Sequence, residues 1–213
     1  MKKQLVIKKQ LLSPLSEKQV RQLKVGDIVS ITGQIVTARD KAYSRALKLL
    51  RTGKRLPLYL RGGIVYHSGP LAIKNKNGWN ILSAGPTTSA RLDSMQAEFI
   101  ERTGVRALVG KGGLSENIAG ALTQLGCVYL AFTGGAGVLA GQTIKEVQKI
   151  FWRDLGDAEA LWVLRVQDFG PLVVAVDTFG NNLYASKIRL MKATDGSGSR
   201  RNDMPRNDPH QHP

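Results

Sequence analysis

Residues 105–132, VRALVGKGGLSENIAGALTQLGCVYLAF, predict a strand, a helix and a second strand in direct succession. The apolar run Val105–Val109 predicts a buried strand, and the glycine-rich run at 110–113 predicts an open loop after it. Leu114–Leu125 predicts a helix, and Cys127–Phe132 is a second apolar run of strand length. Two buried strands joined by a helix are typical of an α/β fold in which crossover helices cover a sheet.

Before this unit the sequence predicts mainly strands. Apolar residues on both sides of Gly33 predict a strand that is bent or bulged at the glycine. Tyr43–Leu50 has apolar residues at the spacing of an amphipathic helix, and Lys74–Gly78 has the composition of a hairpin turn. Asn80–Ala84 predicts one more strand, so the N-terminal third is expected to be β-rich.

Strands and helices alternate from there to the end of the predicted domain. A helix that follows residue 89 ends at Gly104, which is a typical C-terminal cap. Thr133–Gly141 predicts a glycine-rich turn and Gln142–Trp152 a helix, and two final strands are predicted at Leu161–Val166 and Leu172–Val176. The expected fold class is therefore a three-layer α/β domain with crossover helices.

Changes in composition along the 213 residues give the expected domain limits. Residues 1–24 contain seven lysines and arginines and one glutamate, and predict a basic N-terminal arm. Residues 25–190 contain most of the predicted strands and helices and form the expected domain. Residues 191–213 are rich in glycine, serine, asparagine, aspartate, proline and histidine, and predict a disordered tail.

Composition excludes several classes of protein. With 42% hydrophobic and 22% charged residues the chain resembles globular proteins, and no apolar run reaches the ~18 residues of a membrane-spanning helix. The basic N-terminus is not followed by an apolar stretch long enough for a signal peptide, so we expect a cytoplasmic protein. Cys127 is the one cysteine, so an iron–sulfur or zinc site would need ligands from another chain.

The formal net charge of +15 favours an anionic partner or ligand. Most of the excess lies in residues 1–24 and 39–61, which keeps a basic nucleic-acid-binding module as one hypothesis. Aromatic residues make up 6% of the chain and do not alternate with lysine or arginine, which argues against recognition of bases by stacking.

Gly85–Ser89 is the first candidate binding segment, because it follows a predicted strand and opens a helix. The free N–H groups at such a helix start bind anions, and Arg91 could add a two-pronged grip on a carboxylate. The alternative is ordinary capping of the helix by Thr87 or Thr88.

Lys111 is the second candidate, because it lies between glycines at the carboxyl end of a predicted strand, where open α/β sheets bind ligands. The glycine spacing does not match a nucleotide phosphate loop, since Gly112 stands where serine or threonine should bind magnesium. Lys111 is therefore a candidate cation for an anionic ligand, with a plain surface turn as the alternative.

Two further motifs are weaker. Gly135–Ala140 matches the dinucleotide pattern G-x-G-x-x-A, but the acidic residue expected ~20 positions on is missing, so tight strand–helix packing is the better interpretation. Arg39 is expected at a helix start, where it either turns into a cleft or forms a surface ion pair. The run Gly62–Pro70 predicts a short strand within which His67 is expected to pack, and Cys127 is expected to behave as a small buried apolar residue.

In chain order these segments resemble one family. The most specific are Gly85–Arg91 and Gly110–Gly113, with Lys111 placed 20 positions after Arg91. The other matching segments are Ile31–Gly33, Thr37–Asp40, Tyr66–Pro70, Gly104–Arg106, Gly126–Tyr129 and Asp168–Pro171. Residues 25–190 thereby resemble the β subunit, or C-terminal domain, of iron–sulfur class I fumarases and L-tartrate dehydratases.

The resemblance implies a swivelling β/β/α domain packed against a larger α subunit. In that family the α part holds a [4Fe–4S] cluster through three cysteines, and the cluster's open iron binds the substrate. Carried over to this sequence, Arg39, Arg91 and Lys111 would bind the dicarboxylate, and Thr87 would be the proposed proton-transferring base. The sequence departs from the family at Tyr43, where relatives usually carry histidine.

The function that the resemblance implies is that of a hydro-lyase β subunit, active only with its α subunit in an α2β2 assembly. It would hydrate and dehydrate a C4 dicarboxylate reversibly, with fumarate and malate ahead of tartrate and oxaloacetate. No cofactor bound by this chain alone, no membrane association and no specific nucleic acid are expected. The alternatives are the nucleic-acid-binding module and a non-catalytic assembly subunit.

Overall fold

A computed structural model describes residues 8–76 and 78–185. The predicted tail at 191–213 and the first seven residues of the predicted arm lie outside the described residues. The strands are β1 (Lys8–Leu12), β2 (Ile28–Thr37), β3 (Ile64–Tyr66), β4 (Leu71–Asn75), β5 (Gly78–Ser83), β6 (Ala107–Gly110), β7 (Val128–Ala131), β8 (Ile144–Phe151) and β9 (Leu161–Val176). The α-helices are α1 (Glu17–Val20), α2 (Asp40–Arg51), α3 (Asp93–Thr103), α4 (Glu116–Leu125) and α5 (Gly137–Thr143), and 3-10 turns lie at Ser89–Leu92 and Arg153–Leu155.

The main sheet has seven strands in the order β1-β2-β3-β6-β7-β9-β8. Strands β1, β2, β3, β6 and β7 run parallel to one another, whereas β9 runs antiparallel to β7 and β8. Strand β9 also pairs antiparallel with β2, so that β2, β3, β6, β7 and β9 form a closed cycle of pairings. Strands β4 and β5 form a separate antiparallel hairpin, as the turn at Lys74–Gly78 predicted.

Two hydrophobic cores lie on opposite faces of the parallel strands, because successive side chains of a strand point to opposite sides. In β3, Ile64 and Tyr66 belong to the core shared with β1, β5 and much of β9. Val65 belongs to the other core, which contains the buried faces of α2, α3 and α4. The fold is therefore a mixed α/β fold rich in strands, as predicted.

The helices that cover the second core form where the sequence predicts them, although α2 and α4 begin two to three residues away from the predicted positions. Helix α2 buries Tyr43 and Leu47, and Asp40 lies in its first turn, where a negative charge is favourable. Helix α3 ends at Gly104, which takes the left-handed conformation with φ 69°. None of the helices in 8–76 and 78–185 is long and apolar enough to cross a membrane.

The predicted helix at Gln142–Trp152 is wrong. The segment contains the end of α5 and then strand β8, which pairs antiparallel with β9. Register shifts between 144 and 146 and between 147 and 149 each insert an extra residue, so Ile144, Val147 and Ile150 face the same core. Two bulges thus convert the usual period of two into a period of three, which imitates helical spacing in the sequence.

Two other boundaries differ from expectation. The two predicted final strands are one continuous strand, β9. The interruption predicted between Val166 and Leu172 is a bulged part of this strand near Phe169. The predicted turn at Thr133–Gly141 contains the first residues of the short helix α5. Of the predicted basic arm, residues 8–12 form strand β1 and pair with β2, while the domain boundary at residue 25 stays a prediction.

Candidate active site

The candidate residues lie where four parallel strands, β2, β3, β6 and β7, reach their carboxyl ends. Arg39 follows β2 by two residues, His67 follows β3 directly, and Lys111 follows β6 directly. The loop at 133–136 follows β7 and leads into α5. Because the carboxyl ends of parallel strands meet at one edge of a sheet, these loops converge at the edge where such sheets bind ligands.

Main-chain hydrogen bonds connect Thr87 to Lys111 although 24 positions separate them. The N–H of Lys111 donates to the carbonyl of Thr87 at 3.1 Å, and the N–H of Ser89 donates to the carbonyl of Lys111 at 3.1 Å. The N–H of Thr87 itself donates to the carbonyl of His67 at 2.6 Å. The backbone therefore brings together two of the four residues predicted from the sequence.

The side chain of Lys111 is exposed at this edge. It lies beside the loop after β7, since a Cβ atom built at Gly134 would be 3.8 Å from its Cδ atom. No carboxylate among residues 8–76 and 78–185 forms an ion pair with Lys111. Its ammonium group is therefore available to an anionic ligand.

Arg91 lies in the 3-10 turn before α3 and faces the start of α2. Its Nη2 atom is 3.3 Å from a carboxylate oxygen of Asp40, and its side chain is 57% exposed. A pair this exposed and this long contributes little to stability. The contact still places Arg91 next to the loop that carries Arg39, because Asp40 and Arg39 are neighbours in the chain.

Arg39 is the more buried of the two arginines, with a side chain that is 24% exposed. Its Nε atom lies 3.4 Å from Glu159, and within the described part of the chain this buried nitrogen has no hydrogen-bond partner. Glu159 instead accepts a hydrogen bond from the N–H of Lys41 at 2.9 Å. Arg39 thus forms an ion pair, as one of the two hypotheses had it, although the pair is largely buried; the turn of Arg39 into a ligand cleft stays a prediction.

The capping alternative for the threonines does not describe this segment. Thr88 occupies the N-cap position of the 3-10 turn, but its side chain makes no capping hydrogen bond with the described backbone. Thr87 lies one residue before that N-cap position and is half-buried. The hydroxyl of Thr87 is therefore not needed to start the helix.

The G-x-G-x-x-A segment serves close packing, as predicted from the missing acidic residue. A Cβ atom at Gly137 would lie 2.5 Å from the Oγ atom of Ser83 and 3.1 Å from the main-chain nitrogen of Gly85. The carbonyl of Gly137 also accepts a hydrogen bond from the N–H of Ala84 at 2.9 Å. The glycine thus lets α5 pack against the segment that leads to Thr87.

His67 is the residue whose role sequence reasoning missed. It is completely buried, with Nε2 at 2.8 Å from the Tyr43 hydroxyl and Nδ1 at 2.8 Å from the Ser89 hydroxyl. The oxygen of Ser89 is 3.0 Å from the hydroxyl of Tyr129, which in turn is 3.0 Å from the carbonyl of Gly112. The structure places His67 directly after β3 and not within its strand, at the edge that carries Lys111. The signal in the sequence is that this histidine lies in Tyr66–Pro70, one of the segments that carry the family resemblance.

Gly110 makes this arrangement possible. A Cβ atom at position 110 would lie 1.9 Å from the Ser89 Oγ atom and 3.1 Å from Nδ1 of His67. While the Ser89 hydroxyl keeps its bond to His67, only a glycine at position 110 lets the end of β6 approach the two polar groups.

The described residues contain no group of three or more histidine, cysteine, aspartate or glutamate side chains placed to hold a metal ion. Cys127 is completely buried, and burial raises the pKa of its thiol to about 12. A thiol that stays protonated is not a metal ligand, because the thiolate is the ligating form. Cys127 therefore behaves as the small apolar residue that its sequence context indicates.

The basic stretch at 39–61 is partly neutralised by carboxylates from elsewhere in the fold. Arg45 forms a two-pronged pair with Asp154, and Arg51 forms one with Glu98. These pairs reduce the free positive charge on which the nucleic-acid hypothesis depends.

The buried imidazole of His67 predicts a specific dependence of stability on pH. Burial lowers its pKa from 6.5 to about 3 in the folded chain. Between these values the unfolded chain binds a proton at this position and the folded chain does not, so stability increases with pH across that window. We expect this residue to reduce the free energy of unfolding by about 2 kcal/mol between pH 7 and pH 5.

Urea unfolding at the two pH values measures the effect, with the His67→Gln chain as the matched variant. That variant should lose the pH dependence whatever its absolute stability. An equal loss between pH 7 and pH 5 in both chains would show that His67 does not cause it.

The sequence of this chain is similar to a known protein family and to several known proteins. The model of the fumarase C-terminus family matches residues 2–187. The β subunit of L(+)-tartrate dehydratase from Escherichia coli is 41% identical over 189 residues, which cover 86% of this chain and 90% of that protein. The putative β subunit of L(+)-tartrate dehydratase from Methanocaldococcus jannaschii is 43% identical over 171 residues, which cover 80% of this chain and 88% of that protein.

A longer relative contains the same region as one part of a larger chain. The putative class I fumarate hydratase of Geobacillus stearothermophilus is 40% identical over 175 residues, covering 82% of this chain and 33% of that protein. The family model covers most of the chain, and two of these relatives are matched over nearly their whole length. The chain therefore belongs to the fumarase C-terminus family.

Proposed function

We propose that this chain is the β subunit of a hydro-lyase that adds water to, or removes it from, a C4 dicarboxylate. The names of its relatives, tartrate dehydratase β subunit and class I fumarate hydratase, support this class of reaction. The observation that carries the proposal is the main-chain connection of Thr87 to Lys111 at the carboxyl edge of the sheet, with Arg91 on the same segment.

The cations of this chain bind the substrate carboxylates. Lys111 has no ion-pair partner among the described residues, and Arg91 is held only by a long contact of 3.3 Å with Asp40. A substrate carboxylate can therefore bind Lys111 without displacing a carboxylate of the described residues. It can also replace or share the Asp40 contact of Arg91 at little cost in free energy. When a proton leaves the carbon next to a carboxylate, negative charge builds up on the carboxylate oxygens, and fixed cations stabilise that charge best in a site that excludes water.

Thr87 is the proposed base in this chain. A hydroxyl gives up its proton only when nearby positive charge stabilises the alkoxide. The main-chain bond from Lys111 to Thr87 keeps this lysine adjacent, and Arg91 follows Thr87 by four positions. As the alkoxide, Thr87 would take the proton from carbon in dehydration and become a neutral hydroxyl, which loses this proton to water before the next turnover. Hydration runs the same steps in reverse.

The described residues of this chain do not fit an iron–sulfur cluster, because its single cysteine is a buried thiol. The proposed [4Fe–4S] cluster is accordingly held by three cysteines of an α subunit, in an α2β2 assembly. The β-subunit names of the relatives imply an α-subunit partner.

We propose the swivelling β/β/α arrangement for the domain, supported by the two cores on opposite faces of the parallel strands. A cytoplasmic location is proposed as well, and the lack of any possible internal disulfide in a one-cysteine chain supports it.

Anaerobic reconstitution with the α subunit tests the proposed function. Both fumarate with malate and L-tartrate are assayed, because relatives of both names match this chain at similar identity. We expect turnover of at least one substrate by the complex and none by the chain alone. Turnover by the chain alone, or a complex with an intact cluster that is inactive on both substrates, contradicts the proposal.

Arg91→Ala tests substrate binding in the complex. It leaves a substrate carboxylate unpaired in a site closed by the α subunit, and we expect a loss of about 2–5 kcal/mol, or roughly thirty- to several-thousand-fold in kcat/KM. Arg91→Lys should recover little, because an ammonium group cannot make the planar two-pronged contact.

The matched control is Arg102→Ala, which removes an exposed arginine paired with Glu98 on α3 and should leave kcat/KM unchanged. If the Arg91 and Arg102 variants have the same kcat/KM, Arg91 does not bind the substrate.

Thr87→Ala tests the proposed base, with the neighbouring Thr88→Ala as its control. If the Thr87 hydroxyl acts mainly in the transition state, kcat falls while KM changes less. Thr88 is exposed and makes no capping bond with described residues, so its variant should keep both parameters. Steady-state kinetics and thermal melts of the complexes decide this, and a destabilised Thr87→Ala complex with normal kcat would make the hydroxyl structural.

A further inference from the structure

A chain of buried polar groups lies directly beneath the proposed site. It consists of Tyr43, His67, Ser89 and Tyr129 and ends at the carbonyl of Gly112, and we call it the relay. Each of the four contacts along it measures 2.8–3.0 Å, which is hydrogen-bond distance. His67 and Ser89 are completely buried, so the relay cannot exchange these bonds for bonds to bulk water.

Counting hydrogens fixes the direction of the relay. The carbonyl of Gly112 can only accept, so the single hydroxyl hydrogen of Tyr129 points to it. Ser89 must then donate to the oxygen of Tyr129, and the Ser89 oxygen must accept from Nδ1–H of His67. His67 is neutral, so its Nε2 atom has no hydrogen and accepts from the Tyr43 hydroxyl.

This assignment uses four hydrogens for four contacts and leaves no donor of the relay unused. In the opposite direction the contact between Tyr129 and the Gly112 carbonyl would have no hydrogen, and a buried hydroxyl of Tyr43 would have no acceptor. Such unsatisfied buried groups are costly.

The relay ends on the loop that carries Lys111. Tyr129 holds the carbonyl of Gly112, the residue after Lys111, and the N–H of Ser89 holds the carbonyl of Lys111 itself at 3.1 Å. The main chain of His67 also accepts the N–H of Thr87 at 2.6 Å. His67 and Ser89 thus hold the backbone of the proposed base Thr87 and of the proposed carboxylate-binding Lys111 through main-chain bonds, and Tyr129 holds the residue after Lys111.

We propose that His67 is locked by this relay as the neutral Nδ1–H tautomer, and that it is a positioning residue that sets the Lys111 loop for binding of the dicarboxylate. The second half of this proposal rests on the proposed function. The first half does not.

Nuclear magnetic resonance of the ¹⁵N-histidine-labelled full chain tests the tautomer. The sequence has three histidines, so a chain with His210→Asn and His212→Asn contains one imidazole and needs no further assignment. At pH 7 we expect a protonated Nδ1 and an unprotonated Nε2. A protonated Nε2 with an unprotonated Nδ1, or a mixture of both tautomers, overturns the relay.

Two identical chemical changes at the two ends of the relay test positioning in the α-subunit complex. Tyr129→Phe removes the bond to the Gly112 carbonyl, and we expect KM for the dicarboxylate to rise about five- to tenfold with kcat less affected. Tyr43→Phe removes only the donor to Nε2 and leaves the downstream bonds in place, so its KM should stay within about twofold. A purely structural role predicts equal changes in KM for both variants.

The outcomes separate the two proposals. A wild-type complex without hydro-lyase turnover contradicts the proposed function, while the spectrum still decides the tautomer. An active wild-type complex in which Tyr129→Phe and Tyr43→Phe give the same KM contradicts the positioning role of His67. If Tyr129→Phe does not assemble, the variant His67→Asn, whose amide can donate to Ser89 from the place of Nδ1, should keep KM within about threefold, and His67→Ala should not.

Discussion

The antiparallel pairing of β9 with both β2 and β7 is the constraint on which the rest of the fold depends. Strands β2 and β7 are the two outer members of the parallel set that carries the site, and β9 bonds to both of them. An open twisted sheet would rotate its outer strands away from each other. Because β9 closes the cycle, the carboxyl ends of β2, β3, β6 and β7 form one continuous rim, and the loops that follow them meet over a single surface.

The parts of the fold that local rules govern could be predicted from the sequence. The helix at Tyr43–Leu50 and the cap at Gly104 each depend on a few neighbouring residues. The irregular pairing beside Gly33 comes instead from extra residues in β9, its distant partner strand. The error at Gln142–Trp152 has a different origin, because the two bulges of β8 exist only through its pairing with β9. The pattern that a bulged strand leaves in the sequence is the pattern of a helix, and only the distant partner distinguishes them.

The candidate site divides in the same way. Lys111 could be proposed from its flanking glycines and Thr87 with Arg91 from their place at a predicted helix start. The contacts of His67 could not be predicted, because they come from α2 and from the 3-10 turn at Ser89, which are far apart in sequence. In the fold, the uncharged side chains of His67 and Ser89 are buried, whereas the cationic side chains of Lys111 and Arg91 are exposed. Main-chain hydrogen bonds connect the buried segment to the exposed one. This leaves the cationic side chains free for a ligand, since their backbone already holds them in place.

The contact between Gly110 and Ser89 also limits how this family can change over evolutionary time. With 1.9 Å between a Cβ atom at position 110 and the hydroxyl oxygen of Ser89, a side chain at 110 requires that hydroxyl to rotate away from His67 or to be lost. Losing the hydroxyl in turn leaves His67 and Tyr129 without their common partner. Positions 110, 89 and 67 are therefore expected to covary among homologous sequences. A substitution at one of them alone should be selected against, whereas combined replacements at all three can persist.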